Sequence, residues 1–267
     1  MRIALFTDQH LGPAASFHGK LRKLSHQAEA LTERFVASMN HQAKPDVVVN
    51  LGDVIEDESE ELDERRYGRF LEIVAGLACP VRHVVGNHDS VHLSDARLAE
   101  LLGTAELYHS VDIAGVHLVV LRSVEQKDRD VRLPEAQLGW LEADLAQTGL
   151  PSVVCIHHPL SEMDLAGNRW FEKAPHICRV ANRREVREVL ERSGKVKAVF
   201  NGHAHWNHLD VVNGIPYVTL QSLIENVDDD APGRAAAAHA LVDVSAKRLV
   251  INVFGEHPAH YQFDGAR

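Results

Sequence analysis

The first third of the chain alternates short apolar runs with segments of helical spacing, and this alternation limits the fold most. The apolar runs at residues 3–6, 47–49 and 83–85 predict three strands. The run at 47–49 has no polar alternation, which is typical of a strand covered on both faces. Between the runs, apolar spacing over 21–39 and 61–78 predicts two amphipathic helices. A βαβαβ order of this kind indicates a parallel core sheet.

The rest of the chain mixes hairpins with further strands and helices. Asn213-Gly214 is a strong hairpin signal, and Pro134 and Asn182 each stand at the expected start of a helix. The predicted strands cover residues 107–113, 116–121, 152–156, 196–200, 209–212, 216–220, 240–244 and 249–254, and the predicted helices cover 134–149 and 182–194. No linker or fixed-period repeat interrupts this pattern. We therefore expect one mixed α/β domain over 1–267, a four-layer αββα sandwich of two mixed β-sheets flanked by helices.

The composition is that of an ordinary globular protein. Apolar residues make up 45% and charged residues 25%, and 267 residues can bury a core without disulfides. Lys and Arg number 28 against 38 Asp and Glu, which gives a formal charge of −10. Such a surface repels duplex phosphates, so binding of duplex nucleic acid is not expected. A local site could still attract an anion if bound cations dominate its field.

The three cysteines, Cys79, Cys155 and Cys178, predict a reducing compartment. Their number is odd and they form no CxxC pair, which disfavours a disulfide framework. The amino-terminal apolar run is too short for a signal peptide, and no run approaches the roughly 18 apolar residues of a membrane span. We therefore expect a cytoplasmic protein that does not insert into a membrane.

Polar side chains of a common kind follow five of the predicted strands. They are Asp8 and His10, then Asp53, then Asn87, His88 and Asp89, then His157 and His158, and finally His203 and His205. In α/β sheets the carboxyl ends of the strands form the edge where ligands bind. Histidine is abundant throughout, with 18 residues and no polyhistidine run that would mark a tag.

This collection of imidazole, carboxylate and amide groups, without a thiolate, predicts a site for metal ions of the Mn, Fe and Zn group. Each motif alone is weak, because an Asp-x-His pair is usually incidental and Gly-Asp after a strand is a common turn. Their conjunction at five strand ends supports the inference. The alternative, polar loop residues and core histidines without function, leaves that shared position unexplained.

The order of these motifs resembles that of the calcineurin-like metallophosphoesterase superfamily, which has D-x-H, GD, GNH followed by Asp or Glu, a lone His, and G-H-x-H. The matching segments here are TDQH at 7–10, GDVIE at 52–56, GNHD at 86–89, HHP at 157–159 and GHAH at 202–205. The short chain, the segment at 137–141 and the GHAHW ending also resemble class III cyclic-nucleotide phosphodiesterases and manganese-dependent ADP-ribose/CDP-alcohol diphosphatases.

The resemblance implies a centre of two divalent or trivalent metal ions, for which Mn, Fe and Zn all remain open. The ligands implied by motif are Asp8, His10, Asp53 and His205 for one ion, and Asp53, Asn87, His157 and His203 for the other. Asp53 would bridge the ions, since a carboxylate has two oxygens. A water molecule between such ions loses a proton near neutral pH and becomes the nucleophile.

His88 resembles the family's histidine that touches the phosphate and protonates the leaving oxygen, and the neighbouring Asn87 is also expected to bind substrate. In the family, an acidic residue three positions after the GD aspartate usually orients this histidine. That position is Glu56 here, where Asp is commoner. Asp57 and Asp89 lie nearby in the sequence and could substitute, so the orienting partner is left open.

The implied activity is hydrolysis of a phosphoester, and the subfamily resemblance favours a phosphodiester of a small nucleotide or related molecule. A phosphomonoesterase, or a pyrophosphatase acting on nucleoside diphosphate derivatives, would use the same metal core. A nuclease would need a DNA-gripping domain, for which the residues after His205 have neither the length nor the basic charge. A metal-binding scaffold should have lost ligands, whereas all seven positions and His88 are intact. Family members are often dimers, so a homodimer is also open.

Eight further residues are weaker candidates. His18 and Lys20 could reach a substrate phosphate, and Trp170 and Phe171 could stack on a nucleobase, although buried packing is the simpler expectation for both aromatic side chains. For His158, a place behind the metal ligands and a solvated loop position are both open. Three histidines outside the pattern are expected at the surface or an interface: His239, His257 and His260.

Overall fold

Two six-stranded mixed β-sheets lie face to face at the centre of the protein. The computed structural model describes residues 1–125, 130–228 and 230–264. The first sheet contains, in spatial order, β16 (Ala259–Asp264), β15 (Arg248–Phe254), β14 (His239–Val244), β1 (Arg2–Phe6), β4 (Val47–Asn50) and β5 (Val81–His83). Strands β1, β4 and β5 run parallel, and β14, β15 and β16 extend the sheet in antiparallel fashion.

The second sheet has a parallel centre and two antiparallel edges. It contains, in spatial order, β12 (His208–Val212), β13 (Ile215–Thr219), β11 (Val196–Asn201), β10 (Ser152–Cys155), β7 (Val116–Val120) and β6 (His109–Ile113). The inner four strands are parallel, and β12 and β6 are antiparallel to their neighbours. Two small ribbons pair β2 (Ala15–Phe17) with β3 (Lys20–Lys23) and β8 (Val124–Glu125) with β9 (Val131–Arg132).

Helices cover the outer faces of both sheets. They are α1 (Ala28–Ser38), α2 (Glu60–Val74), α3 (Asp95–Leu102), α4 (Glu135–Gln147) and α6 (Arg183–Ser193). The short helix α5 (Pro175–Cys178) contributes Cys178 to a separate small core. There are also 3₁₀ turns at Ser25–Gln27 and His88–Ser90 and a π-turn at Met39–Ala43. Among the described residues, none of the helices is both long enough and apolar enough to cross a membrane.

Alternate side chains of the central strands enter different cores. In β1, Ile3 and Leu5 pack between the two sheets, whereas Phe6 packs beneath α1 and α2. In β11, Phe200 also lies between the sheets, whereas Val199 packs beneath α4 and α6. Because a strand sends successive side chains to opposite faces, these separate cores require four layers. The predicted mixed α/β fold with an αββα order is confirmed.

The predicted helix over 21–39 is wrong in its first turns. Residues Lys20–Lys23 pair with Ala15–Phe17 as a ribbon, and α1 begins only at Ala28. Leu21 and Leu24 fit helical spacing, but the backbone pairing and a bridge from Lys23 to Glu225 determine the local structure. Apolar spacing alone does not separate a short ribbon from the first turn of a helix.

The hairpin signal was more reliable than the signals at helix starts. Asn213 and Gly214 both have positive φ, as a two-residue hairpin between β12 and β13 requires. Asn182 stands at the amino end of α6, but its side chain hydrogen-bonds the backbone of Leu133 instead of capping the helix. The structure also corrects the start of α4 to the residue after Pro134 and adds β16, which was not predicted.

Candidate active site

Seven side chains that follow five strand ends converge between the two sheets. They are Asp8 and His10 after β1, Asp53 after β4, Asn87 after β5, His157 after β10, and His203 and His205 after β11. Asp53 lies at the centre of this group. Its Oδ2 atom is 3.2 Å from His157 Nε2 and 3.8 Å from His10 Nε2. One carboxylate oxygen therefore faces a histidine from each half of the group.

In the first half of the group, the imidazoles of His10 and His205 point at each other with 3.1 Å between their Nε2 atoms. The other nitrogen of each ring, Nδ1, faces a carboxylate: Glu56 is 3.1 Å from His10, and Glu225 is 2.8 Å from His205. A carboxylate that accepts the Nδ1 proton leaves Nε2 to act as a metal ligand. Together with Asp8, this half could hold one cation.

The second half repeats that arrangement with His157 and His203. His157 Nδ1 donates to the backbone oxygen of Leu51 at 2.8 Å, and His203 Nε2 donates to that of Ile177 at 3.2 Å. The remaining nitrogens, His157 Nε2 and His203 Nδ1, face each other at 3.2 Å. Asn87 Oδ1 lies 3.2 Å from His157 Nε2. These donors could hold a second cation on the other side of the central carboxylate.

One ring of the first pair has a raised pKa and the other a lowered one. Burial lowers the pKa of His205, but the carboxylates of Asp8 and Glu225 outweigh this effect and raise the pKa to about 9. Burial and the Lys23 ammonium lower the pKa of His10 to about 4. The surroundings therefore favour one positive charge between the two rings.

The second pair behaves in the same way. Burial lowers the pKa of His157, but Asp53 outweighs it and raises the pKa to about 9. Burial and the neighbouring His157 lower the pKa of His203 to about 3. Each gap between facing imidazoles is thus a place where the protein stabilises one unit of positive charge. The donor set and its electrostatics both fit a pair of cations.

The backbone that presents these side chains is strained. Of the ten non-glycine residues with positive φ in the described part of the chain, five belong to this group: Asp8, His10, Asp53, His203 and His205. A left-handed conformation costs a residue with a Cβ about 1–2 kcal/mol. Such strain concentrates at functional sites, and here it turns the chain sharply after β1, β4 and β11.

The glycines of the motifs are required by close approach. A Cβ on Gly86 would overlap the backbone nitrogen and carboxylate of Asp53, and a Cβ on Gly202 would overlap the side chains of Thr7 and Asp8. Residues with side chains at these positions would push the carboxylates away. The glycines of GNHD and GHAH are therefore part of the construction of the site.

A family model described as calcineurin-like phosphoesterase matches residues 1–207. The chain belongs to the calcineurin-like phosphoesterase family. The resemblance found from the motifs is confirmed, and membership implies a phosphoester hydrolase whose site takes two metal ions.

Relatives within and around this family show how far the similarity extends. A protein of Synechococcus sp. named a probable cyclic nucleotide phosphodiesterase is 30% identical over 216 residues, which cover 77% of this chain and 73% of that one. A cAMP/cGMP dual specificity phosphodiesterase of Mycobacterium tuberculosis is 28% identical over 179 residues, covering 65% and 52%. A dimetal phosphatase from Danio rerio has the same fold, with a TM-score of 0.79, 17% identity and coverage of 99% and 98%.

In this family member, Asp57 is the acidic residue that contacts His88. Its carboxylate is in hydrogen-bonding contact with His88 Nδ1, and the His88 backbone N–H donates to Asp53 Oδ1 at 2.9 Å. Burial lowers the pKa of His88, but Asp53 and Asp57 outweigh it and the pKa is raised. The sequence left Glu56, Asp57 and Asp89 as alternatives, and the contacts separate them.

The other two acidic residues, Glu56 and Asp89, have different partners. Glu56 contacts His10 and forms an ion pair with Lys23 at 2.9 Å. Asp89 is fully buried and accepts backbone N–H groups, including those of Gly86 at 2.8 Å and Asp53 at 3.0 Å. It therefore ties the loop after β5 to the loop after β4.

Lys23, Glu225 and Glu125 were missed by the sequence analysis. Lys23 is buried beside His10, and Glu225 is buried beside His205. Glu125 borders the cavity in front of the site, and burial and Asp53 raise its pKa. All three are single charged residues outside any motif, so the sequence held no local signal for them.

The weaker candidates separate clearly. Trp170 and Phe171 border the cavity in front of the site. His18, in the turn of the ribbon, and Lys20, the first residue of β3, are exposed and are not among the lining residues. His158 is fully buried, with Ser123 Oγ 2.8 Å from its Nδ1 atom and its ring centroid 4.1 Å from that of His203. It lies beside the group, so the solvated position that the sequence left open is wrong.

The three histidines outside the motifs make contacts with residues other than the candidate ligands. His239 stacks on Phe254 with 5.1 Å between ring centroids, and His260 Nδ1 is 2.7 Å from Asn252 Oδ1 on the exposed edge of the first sheet. His257 Nδ1 is 3.0 Å from Gln221 Oε1.

Proposed function

We propose that this protein hydrolyses phosphodiesters of small nucleotides with two bound metal ions. The observation that supports the proposal best is the pair of facing imidazole couples on either side of Asp53, with His88 beside them. Family membership supplies the reaction class, and the named phosphodiesterases among the relatives favour diesters of nucleotides.

The residues proposed to hold the metals are those implied by the motifs. Asp8, His10, Asp53 and His205 would hold one ion, and Asp53, Asn87, His157 and His203 the other. When bound, two ions of the Mn, Fe or Zn type supply an activated water molecule and neutralise the phosphate oxygens. Asp53 keeps both halves together, and the buried Glu225 orients His205 through its Nδ1 atom.

His88 is proposed as the general acid. Asp57 holds its Nδ1 atom, so Nε2 is the atom that would carry a proton to the leaving oxygen. The raised pKa keeps the imidazole protonated over a wider pH range, as a general acid requires. The adjacent Asn87 would also contact the phosphate. General acid catalysis is typically worth about 10²–10⁴-fold in rate.

The experiment is a substrate panel on protein stripped of metal and reloaded with manganese. It contains cyclic nucleotides, nucleoside diphosphate derivatives, glycerophosphodiesters and simple phosphomonoesters. We expect cyclic nucleotides or other small nucleotide diesters to give the highest kcat/KM. A clear preference for monoesters or for diphosphate derivatives would replace the phosphodiesterase assignment, and substoichiometric metal with no hydrolysis would indicate a scaffold.

Three further expectations accompany this proposal. We propose one domain over 1–267 from the uninterrupted pattern of elements, a cytoplasmic location from the cysteine usage, and a homodimer from the family resemblance. The three cysteines are free thiols, and Cys155 and Cys178 are buried, which suits a reducing compartment. Light scattering on the eluting protein measures the mass, and a monomer at all concentrations would contradict the dimer.

A further inference from the structure

The cavity in front of the candidate metal centre has one polar wall and one apolar wall. Its volume is about 500 Å³, within the range of roughly 300–1,000 Å³ that small-molecule sites occupy. The polar wall is formed by Lys23, Asp53, Glu56, Asn87, His88 and Glu125. The apolar part of the lining is formed by Phe17, Trp170, Phe171, Ala174 and Ile177. A molecule that fills this space therefore needs a charged part and an apolar part.

Three of the apolar residues, Phe17, Trp170 and Phe171, form what we call the aromatic wall. Phe17 comes from β2 and the other two come from the loop that precedes α5. The rings of Phe17 and Trp170 stack with 4.9 Å between centroids and 28° between planes. The ring of Phe171 lies 4.6 Å from that of His203. The aromatic wall is therefore adjacent to a candidate metal ligand.

Within the aromatic wall, Trp170 also makes polar contacts. The indole N–H of Trp170 is 3.3 Å from Glu225 Oε2, and Lys23 Nζ lies 5.4 Å from the centroid of the Trp170 ring. These contacts connect Trp170 to the partners of His205 and His10. All three aromatic residues are only partly buried. The contacts of Trp170 orient its ring before a ligand arrives, which lowers the entropy cost of binding.

Flat aromatic side chains that stay partly exposed beside a charged centre suit a flat aromatic ligand group. Stacking on a nucleobase contributes about 1–3 kcal/mol per base and tolerates any base, because every base has a π-face. An aliphatic ester group would gain only general apolar contact from the same wall. A cavity of this size also has room for one base and its sugar beside the phosphate.

We propose that the aromatic wall binds the nucleobase of the substrate while the polar wall receives the phosphodiester. This inference rests on the proposed function and adds to it a named subsite. It assigns the preference for nucleotides to Phe17 and Phe171 together with Trp170. The metal centre and His88 would bind the phosphate group of the same molecule.

The test compares adenosine 5′-monophosphate with ribose 5-phosphate, which differ only by the base. Both are used as inhibitors of bis(p-nitrophenyl) phosphate hydrolysis by the metal-loaded enzyme, with inorganic phosphate as a third inhibitor. We expect the wild-type enzyme to bind the nucleotide at least about tenfold more tightly than ribose 5-phosphate. Phe17→Leu and Phe171→Leu keep apolar volume but remove a ring, and each should reduce that ratio severalfold without changing inhibition by inorganic phosphate.

Phe254→Leu is the matched control, because Phe254 is an exposed aromatic residue of β15 that is not among the lining residues of the cavity. It should leave all three inhibition constants unchanged. Equal inhibition of the wild-type enzyme by the nucleotide and ribose 5-phosphate would overturn the inference, as would variants that weaken inorganic phosphate equally. If no phosphodiester is hydrolysed, the proposed function fails. In that case, titration calorimetry of the same three ligands on metal-loaded protein measures whether the nucleotide still binds more tightly than ribose 5-phosphate, which tests the base subsite without any hydrolysis.

Discussion

Glu56 and Asp57 are neighbours in the sequence with the same charge, yet they contact different histidines. Glu56 reaches His10 and Lys23, and Asp57 reaches His88. The Glu56 side chain is one methylene longer, and its pKa lies below the usual range because His10 and Lys23 outweigh the effect of burial. Of these two adjacent carboxylates, Glu56 therefore contacts a candidate metal ligand and Asp57 contacts the candidate general acid.

Asp57→Asn should impair the acid step. The variant loses the charge that holds the His88 imidazole, so we expect kcat for alkyl phosphodiesters to fall by about 10-fold or more, with a smaller fall for p-nitrophenyl esters, whose leaving group needs little protonation. Steady-state kinetics on the two substrate types measures the difference. Metal content should stay at the wild-type level.

Glu56→Gln is the matched variant for this prediction. It weakens the carboxylate behind His10, and such outer partners typically affect metal affinity or activity by 10–100-fold. Metal titration should therefore show the larger change, with both ester types slowed alike. If Asp57→Asn, like Glu56→Gln, slows alkyl and p-nitrophenyl esters by the same factor, the proposal of separate roles for the two carboxylates is wrong.

Asp53→Asn should abolish activity. Asparagine offers one acceptor oxygen and no charge, while the present carboxylate faces both halves of the group. We expect turnover below about a tenth of wild type and loss of metal, since two-metal sites depend on their shared ligand. Asp243→Asn, which removes an exposed partner of Arg2, is the control and should keep both properties. Retained turnover in Asp53→Asn would contradict the bridging role.

The loops after β5 and β11 contain glycines at positions where a Cβ would overlap candidate ligands. Gly86→Ala should displace Asp53, because the added methyl would overlap its carboxylate and backbone nitrogen. We expect loss of metal binding and of most activity, measured by metal analysis and kinetics, while far-ultraviolet circular dichroism stays close to wild type.

Gly139→Ala is the control substitution, because this glycine lies in a helix where an added methyl group meets no neighbouring atom. Gly139 is an exposed residue within α4, and a Cβ there has no neighbour within contact distance. Alanine should stabilise the helix by about 0.5–1 kcal/mol, with unchanged activity. A Gly86→Ala protein with normal metal content would show that the loop can adapt, against the crowding that its neighbours indicate.

The candidate site could be predicted from the sequence because its members follow strands in recognisable motifs. Asp8, Asn87 and His203 each belong to a short pattern, and parallel strand ends meet at one edge. Glu225 had no such signal. It lies 20 residues after His205 in the chain and reaches it only through the folding of the loop after β13. Long-range contacts of single residues are not encoded in local spacing.

The fold was predictable to the same extent. The run at 47–49 in β4 is continuous and apolar, so both its type and its burial on two faces could be predicted. The β2–β3 ribbon could not, because its pairing competes with helical spacing across only a few residues. This error mattered for function, since the ribbon contributes Phe17 and Lys23 to the cavity.

At the scale of the whole molecule, the candidate metal centre joins the two sheets. Asp8 and Asp53 follow strands of the first sheet, whereas His157 and His203 follow strands of the second. Direct hydrogen bonds already cross this boundary: His157 Nδ1 donates to Leu51 O, and the backbone N–H of His203 donates to Asp8 Oδ2 at 3.1 Å. Cations shared among these residues would act as a clamp between the layers.

Metal removal should therefore lower the stability of the whole fold and not only the activity. At a free metal concentration 100 times Kd, binding stabilises the native state by about 2.7 kcal/mol. For a domain of this size that corresponds to a change in Tm on the order of 5–10 °C. Calorimetric scans of stripped protein, with and without added manganese, measure it. His260→Ala, on the exposed sheet edge, should respond like wild type, whereas Asp53→Asn should respond little. Identical melting of stripped and loaded wild-type protein would contradict a clamp between the sheets.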